Sequence, residues 1–222
     1  IDAKLTAQVN QIIHHDDFQK LESAWRGLHY LVNNTESDEQ LKIRVLNISK
    51  EECRKMFRQY RDAAWDQSPL FKKVYEEEFG TFGGAPFGTL IGQYQISRQP
   101  EDMYFIDQMS HIAAAAHAPF IASAAPQLFG LETFTELGKP RDMGKVFDTV
   151  EYAKWKSFRE SEDSRYVGLA LPRFLGRLPY NPIDGEATEG FNFVEDVDGT
   201  DHDKYLWCNA AFAFAARLTS AF

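Results

Sequence analysis

Five groups of residues carry side chains that could do chemistry, and their spacing decides what each can do. His14-His15-Asp16-Asp17 offers metal-ligand types. Neighbouring side chains on a helix diverge by about 100°, so only His14 and Asp17 could share an ion, and no third ligand is evident. Asp107 and His111 face each other at i and i+4, but Ser110, beside His111, cannot converge on it as a nucleophile must on its base. Gly80-Thr-Phe-Gly-Gly-Ala-Pro-Phe-Gly88 precedes a strand, whereas a phosphate cradle sits between a strand and a helix. It reads as a tightly turned connector. In Glu195-Asp-Val-Asp-Gly-Thr-Asp-His-Asp203 the glycine falls at the fourth place counted from Asp196, and a calcium loop needs it at the sixth. Asp201 reads instead as the N-cap of the last helix, with Asp203 favouring its positive end. Arg173 and Arg177 follow a strand, where open α/β sheets bind ligands. They leave one enzymatic alternative, an α/β enzyme holding an anionic metabolite there. No catalytic residue, metal or cofactor is assigned.

Composition narrows the classes further. A chain of 222 residues with 44% hydrophobic and 14% aromatic residues buries a core, so global disorder is excluded. A net charge of −9 without a basic stripe argues against duplex nucleic acid as a partner. No apolar run reaches the roughly 18 residues of a membrane span, so membrane insertion is not expected. Cys53 and Cys208 lie far apart on expected helices, which fits a reducing compartment better than a disulfide framework. The chain starts at Ile1 and stops in mid-pattern at Phe222, so part of a longer protein is expected.

The elements that must position these residues follow from periodicity. Leu5, Val9 and Ile12 recur at helical spacing, and Phe18, Leu21, Trp25, Leu28 and Val32 form a second stripe on one face. These predict an N-terminal helical arm over residues 1–35 and a core domain over residues 36–222, incomplete at its C-terminus. Leu41–Ile48 alternates and reads as a strand, and Ser49 with Glu52 forms a capping box for a stripe of Cys53, Met56, Tyr60 and Ala63. Ser68-Pro69 opens a helix that Gly80 closes. Thr89–Ile96 is a strand, and Pro100 starts a helix whose inner face is Ile106, Met109, Ala113 and Ala116, ended by Pro119. Phe120–Ser123 is a buried strand, Val146, Phe147, Val150 and Ala153 mark a helix, and Tyr166–Leu171 is a fourth strand. This alternation predicts an α/β fold with an open, mostly parallel sheet flanked by helices. Residues 172–200 form a long connection, either functional or held by something else.

The closing segment differs in kind. Tyr205, Leu206, Trp207, Phe212, Phe214, Leu218 and Phe222 do not fit one stripe, and a helix apolar nearly all round must be covered on all sides. Trp207, Phe212 and Phe214 are therefore candidate interface residues, and obligate assembly or a missing half-domain is expected.

Several strings then resemble a known family. Leu21-Glu-Ser-Ala-Trp-Arg-Gly-Leu-His29, Ala113-Ala-Ala-Ala-His-Ala-Pro-Phe-Ile121, Phe134-Thr-Glu-Leu137 and Val150-Glu-Tyr-Ala-Lys-Trp155 are similar to the large subunit of the type VI secretion contractile sheath. So are Phe158-Arg-Glu-Ser-Glu-Asp-Ser-Arg-Tyr-Val167, Phe193-Val-Glu-Asp-Val-Asp-Gly199 and Lys204-Tyr-Leu-Trp-Cys-Asn-Ala-Ala211. The resemblance implies a phage tail-sheath-like fold and a structural protein, not an enzyme. Its partners would be a small sheath subunit, further copies in a helical polymer, the inner-tube protein, and a AAA+ ATPase that dismantles the contracted sheath. Contraction would propel the spike and effectors out of the cell. In such an assembly Arg159, Glu162, Asp163 and Arg165, with Glu195, Asp196 and Asp198, are expected as interface or capping residues, because polar contacts can be remade between two packed arrangements.

Overall fold

The computed structural model describes residues 2–140, 142–180 and 193–221. In chain order the elements are α1 (Asp2–Ile13), α2 (Asp16–Asn33), α3 (Lys50–Gln59), α4 (Pro69–Phe71), β1 (Leu90–Ile96), α5 (Pro100–Ala115) and β2 (Phe120–Ala124). There follow α6 (Met143–Val146), α7 (Ala153–Glu160), β3 (Val167–Ala170), β4 (Phe174–Leu175), β5 (Trp207–Cys208) and α8 (Ala210–Ala221). Two compact units divide the chain, Ser37–Pro172, and Ile1–Glu36 together with Arg173–Phe222. The sequence division at 35/36 is linear, whereas here the N-terminal helices share a unit with the C-terminal segment.

Unit Ser37–Pro172 is α/β. Its sheet has the order β1-β2-β3 and is parallel throughout, with Leu90 opposite Phe120 and Phe120 opposite Val167. Every residue of the central strand β2 is buried, the pattern of a strand covered on both faces. Phe57, Ile96, Phe105, Ile106, Ile112 and Phe120 fill the core. Tyr94 meets Phe105 edge-on at 5.3 Å, and Phe105 meets Phe120 at 6.0 Å. Ile106, Met109, Ala113 and Ala116 face inward as the spacing predicts. The helix stops at Ala115, and His117 takes a left-handed φ of 50° before the chain enters β2. Ser49 and Glu52 form the expected capping box on α3. Ser68 caps α4 through Phe71 N–H, and α4 continues as a π-helix, Lys72–Phe79, up to Gly80.

Two expectations are corrected in this unit. Leu41–Ile48 forms no strand: its alternation is genuine, but it joins no ladder, and Val45 and Leu46 are exposed. Alternation makes a strand only where a partner completes the hydrogen bonds. The helix read over Val146–Ala153 breaks into α6, a 3-10 turn (Val150–Tyr152) and α7, with Val150 in solvent.

The other unit is built on α2. Its inner residues Gly27 and Leu31 are buried, and α8 packs along them. Ser23 Oγ donates to Trp207 O at 2.9 Å, and the Thr35 and Thr219 hydroxyls meet at 2.9 Å. Antiparallel β4 and β5 pair Phe174 with Cys208, and the Tyr30 and Phe174 rings lie 5.0 Å apart. The apolar stripe read on this helix lies on the opposite face. Phe18, Leu21, Trp25 and Val32 are exposed and Leu28 is half-buried. Gly27 lets α8 come close through Phe212, and Ser23 meets β5 through Trp207 O.

Candidate assembly interface

Arg159 ends α7, and a 3-10 turn, Glu162–Tyr166, leads into β3. Hydroxyls shape this reversal: Ser161 Oγ donates to Phe158 O and Ser164 Oγ to Ser161 O, each at 2.7 Å. Arg159, Glu162 and Arg165 are left exposed. The Arg159 guanidinium lies 5.7 Å from the Trp155 ring, and that of Arg165 lies 5.5 Å from Tyr166. Asp163 is half-buried, its Oδ2 2.7 Å from His111 Nδ1 on α5. Arg159 and Arg165 border an apolar recess of about 590 Å³ that includes Phe129, Phe147, Trp155 and Phe158.

The acidic run is divided between solvent and interior. Asp196 and Asp198 are exposed. Asp198 accepts from the Thr200 hydroxyl and backbone N–H, and these bonds hold its carboxyl at about 2. Lys204 Nζ reaches Asp196 at 2.8 Å, which raises the lysine pKa. Asp201 caps the 3-10 turn His202–Lys204 rather than the last helix; α8 is capped by Asn209, whose Oδ1 accepts from Ala211 N at 2.8 Å.

Glu195 is enclosed within its own unit, with a side chain only 1% exposed. Arg177 Nη1 and Nη2 donate to its two oxygens at 2.5 and 3.1 Å, and Tyr180 N–H donates at 2.9 Å. His14 Nε2 lies 3.2 Å away, and Arg177 Nε donates to Glu22 Oε1, which also accepts from Arg26. Burial opposes the Glu195 charge, but the Arg177 and Tyr180 bonds outweigh it and lower the pKa. Burial likewise opposes the charge on Arg177, and the two carboxylates overcome it, raising its pKa. Pattern reading could not find this cluster, because Glu22 and Arg177 are 155 residues apart and His14 and Glu195 are 181 apart.

That geometry removes support from the enzymatic alternative. Arg177 is already neutralised by two carboxylates, and Arg173 stacks over the Trp207 ring at 5.9 Å. Among the described residues no three His, Cys, Asp or Glu side chains are arranged to hold a metal. His14 is directed at Glu195, and His15 Nδ1 accepts from Asp17 N–H as the cap of α2. Ser110 donates to the Asp107 backbone, so it is no nucleophile partnered by His111.

The closing segment is a turn, a short strand and a helix, not one continuous helix. Tyr205 and Leu206 precede β5, and Trp207 lies in β5 with Nε1 donating to His202 O at 2.7 Å. Phe212 is buried against α2, whereas Phe214 and Leu218 are exposed at 47% and 38%. Phe222 and residues 181–192 lie outside the described residues. No described helix is long and apolar enough to cross a membrane.

Comparison with known proteins gives two concordant results. The VipB family model, described as EvpB/VC_A0108, tail sheath N-terminal domain, matches residues 1–222. The type VI secretion system sheath protein TssC1 of Pseudomonas aeruginosa PAO1 is 57% identical over all 222 residues, and the chain spans 44% of that relative's length.

Proposed function

Because this chain belongs to the VipB family of tail sheath N-terminal domains, we propose that the protein it represents is a structural subunit of a type VI secretion contractile sheath. It pairs with the small sheath subunit in the cytoplasm, and the pairs stack into a helical tube around the inner tube. Contraction of that tube drives the spike and effectors outward, and a AAA+ ATPase takes the spent sheath apart. The protein contributes surfaces rather than a catalytic step. The observation that carries this reading is identity at 57% over the whole chain to a named sheath protein.

Each unit offers its own exposed residues to the assembly: Arg159, Glu162 and Arg165 in the α/β unit, and Asp196, Asp198 and Phe214 in the other. Glu195 and Phe212 are enclosed in their own unit and support its surface from within, whereas Asp163 and Trp207 are half-buried, held by His111 and by His202 O. Co-expression of the full-length protein with its small sheath subunit tests the reading by negative-stain microscopy. Tubules are expected. A monodisperse small species, whose melting temperature rises with an anionic metabolite, overturns it.

A further inference from the structure

We propose that the outward stripe of α2 is the seat of one amphipathic helix from a partner chain, apolar along its seam and basic toward its ends. The proposal rests on the sheath reading and deepens it by naming where the small subunit would attach.

The α2 helix is apolar on two opposite faces and covered on one. Gly27 and Leu31 pack inward, while Trp25 is 66% exposed, Leu21 56%, Val32 48% and Phe18 37%. A line of large apolar side chains along an 18-residue helix is an interaction surface rather than scattered exposure. The spacing of positions 18, 21, 25, 28 and 32 alternates three and four, which is a coiled-coil seam. A seam of this spacing is the one that a second helix fills by knobs-into-holes packing, so a helix is the occupant. Trp25 at its centre is the residue type that dominates binding energy between chains.

Charge argues against a second copy of this chain. The ends of the helix carry exposed Asp16 and Asp17 on one side and exposed Glu36 on the other. Antiparallel pairing of two copies sets Asp16 and Asp17 against Glu36, and parallel pairing sets each carboxylate against itself. Lys20, 3.7 Å from Asp17 on its own helix, offsets that carboxylate and leaves Asp16 to set the sign of this end. A partner with Lys or Arg at both ends of its seam meets complementary charge instead.

Full-length protein with p-benzoylphenylalanine at Leu21 or at Trp25, co-expressed with the small sheath subunit, is irradiated and the crosslinks are mapped by mass spectrometry. Crosslinks to one small-subunit segment, with apolar residues three and four apart and basic residues at both ends, are expected. Leu21→Lys with Trp25→Lys is expected to weaken copurification of the small subunit at least ten-fold, with the melting temperature of the isolated protein within about 2 °C of wild type. Crosslinks confined to the same polypeptide or to a second copy overturn the docking assignment. So does a wild-type complex indifferent to the two lysines. Failure of the wild-type proteins to associate at all overturns the sheath reading and this site with it.

Discussion

The Phe212 ring on α8 lies so close to Gly27 on α2 that a β-carbon built at residue 27 would stand 2.4 Å from Phe212 Cδ2. Glycine within a helix ordinarily costs roughly 0.5–1 kcal/mol relative to alanine. Here the close approach reverses that preference, because overpacking costs about 1–3 kcal/mol and Phe212 is buried with nowhere to retreat. Gly27→Ala is expected to lower the urea midpoint despite adding a better helix former. Gly27→Ala with Phe212→Leu should recover part of the loss, a non-additivity that two isolated sites would not show. A higher midpoint for Gly27→Ala alone would remove the close contact from the account.

Arg177 stands between two carboxylates, the buried Glu195 and the half-buried Glu22, with its own side chain 8% exposed. Removing one partner of a buried pair costs about 3–5 kcal/mol, since the remaining charge loses both its attraction and its hydrogen bonds. Arg177→Met is therefore expected to depress the melting temperature by roughly 6–20 °C, at about 2–4 °C per kcal/mol for this chain length. Arg177→Lys should rescue little, because one ammonium cannot supply the fork that serves both carboxylates. Differential scanning calorimetry of the two variants checks the order.

The same cluster sets an acid limit. The Glu195 pKa is lowered from 4.5, so as pH falls the unfolded chain takes up its proton first and stability declines. The decline begins as pH approaches 4.5 and continues down to the folded-state pKa. At neutral pH the carboxylate is charged in both states and adds no slope. Urea midpoints between pH 7 and pH 3.5 should therefore fall less steeply for Glu195→Gln than for wild type. Parallel curves would remove Glu195 from the acid response.

Local pattern reached the parts of this fold that local pattern builds. The capping box at Ser49, the Ser68-Pro69 start, the inner face of α5 and the three parallel strands all follow from spacing within one element. What escaped is pairing at a distance. Phe18, Leu21, Trp25, Leu28 and Val32 announce an apolar face, yet nothing in their spacing says which chain covers it. The small residues Gly27 and Ser23, against which Phe212 of α8 and Trp207 of β5 lie, give no hydrophobic signal at all. Leu41–Ile48 carries the alternation of a strand and has no ladder to join. As for the candidate interface, the sequence marked the charges but could not separate exposed Glu162 from enclosed Glu195. That separation depends on Arg177, on the far side of a long connection.

Asp102 shows the same non-local logic in the other unit. It sits in the first turn of α5, where the helix dipole favours its charge. Its Oδ1 accepts from Lys50 at 2.7 Å, and its Oδ2 accepts from Ser97 N–H at 2.9 Å and Ser97 Oγ at 2.6 Å. Lys50 also donates to Gln95 O at 2.8 Å, so one carboxylate ties α3, the end of β1 and α5 together. Asp102→Asn keeps the shape but presents an amide N–H₂ where a donor already points. A loss of about 1–3 kcal/mol is expected by denaturant unfolding, the desolvation penalty of one buried unsatisfied group. No loss would show that the three elements are held by packing alone.

Glu162 and Arg165 separate assembly from folding. Both are exposed, and neither forms an ion pair with another described residue, so reversing either should change stability within about 0.5 kcal/mol. Within a sheath these charges would face another subunit across a few ångströms, where a reversed sign costs both an attraction and a new repulsion. Glu162→Lys and Arg165→Glu in the full-length protein are thus expected to leave melting temperature unchanged while reducing tubule yield with the small subunit at low salt. Raising the salt to about 1 M shortens the screening length to roughly 3 Å and should narrow the difference from wild type. Restricting the pair to these two residues matters, because Asp163 is held by His111 at 2.7 Å and its reversal would perturb the fold as well. Tubules of wild-type yield and length from both variants at low salt would place the sheath contact elsewhere on the chain.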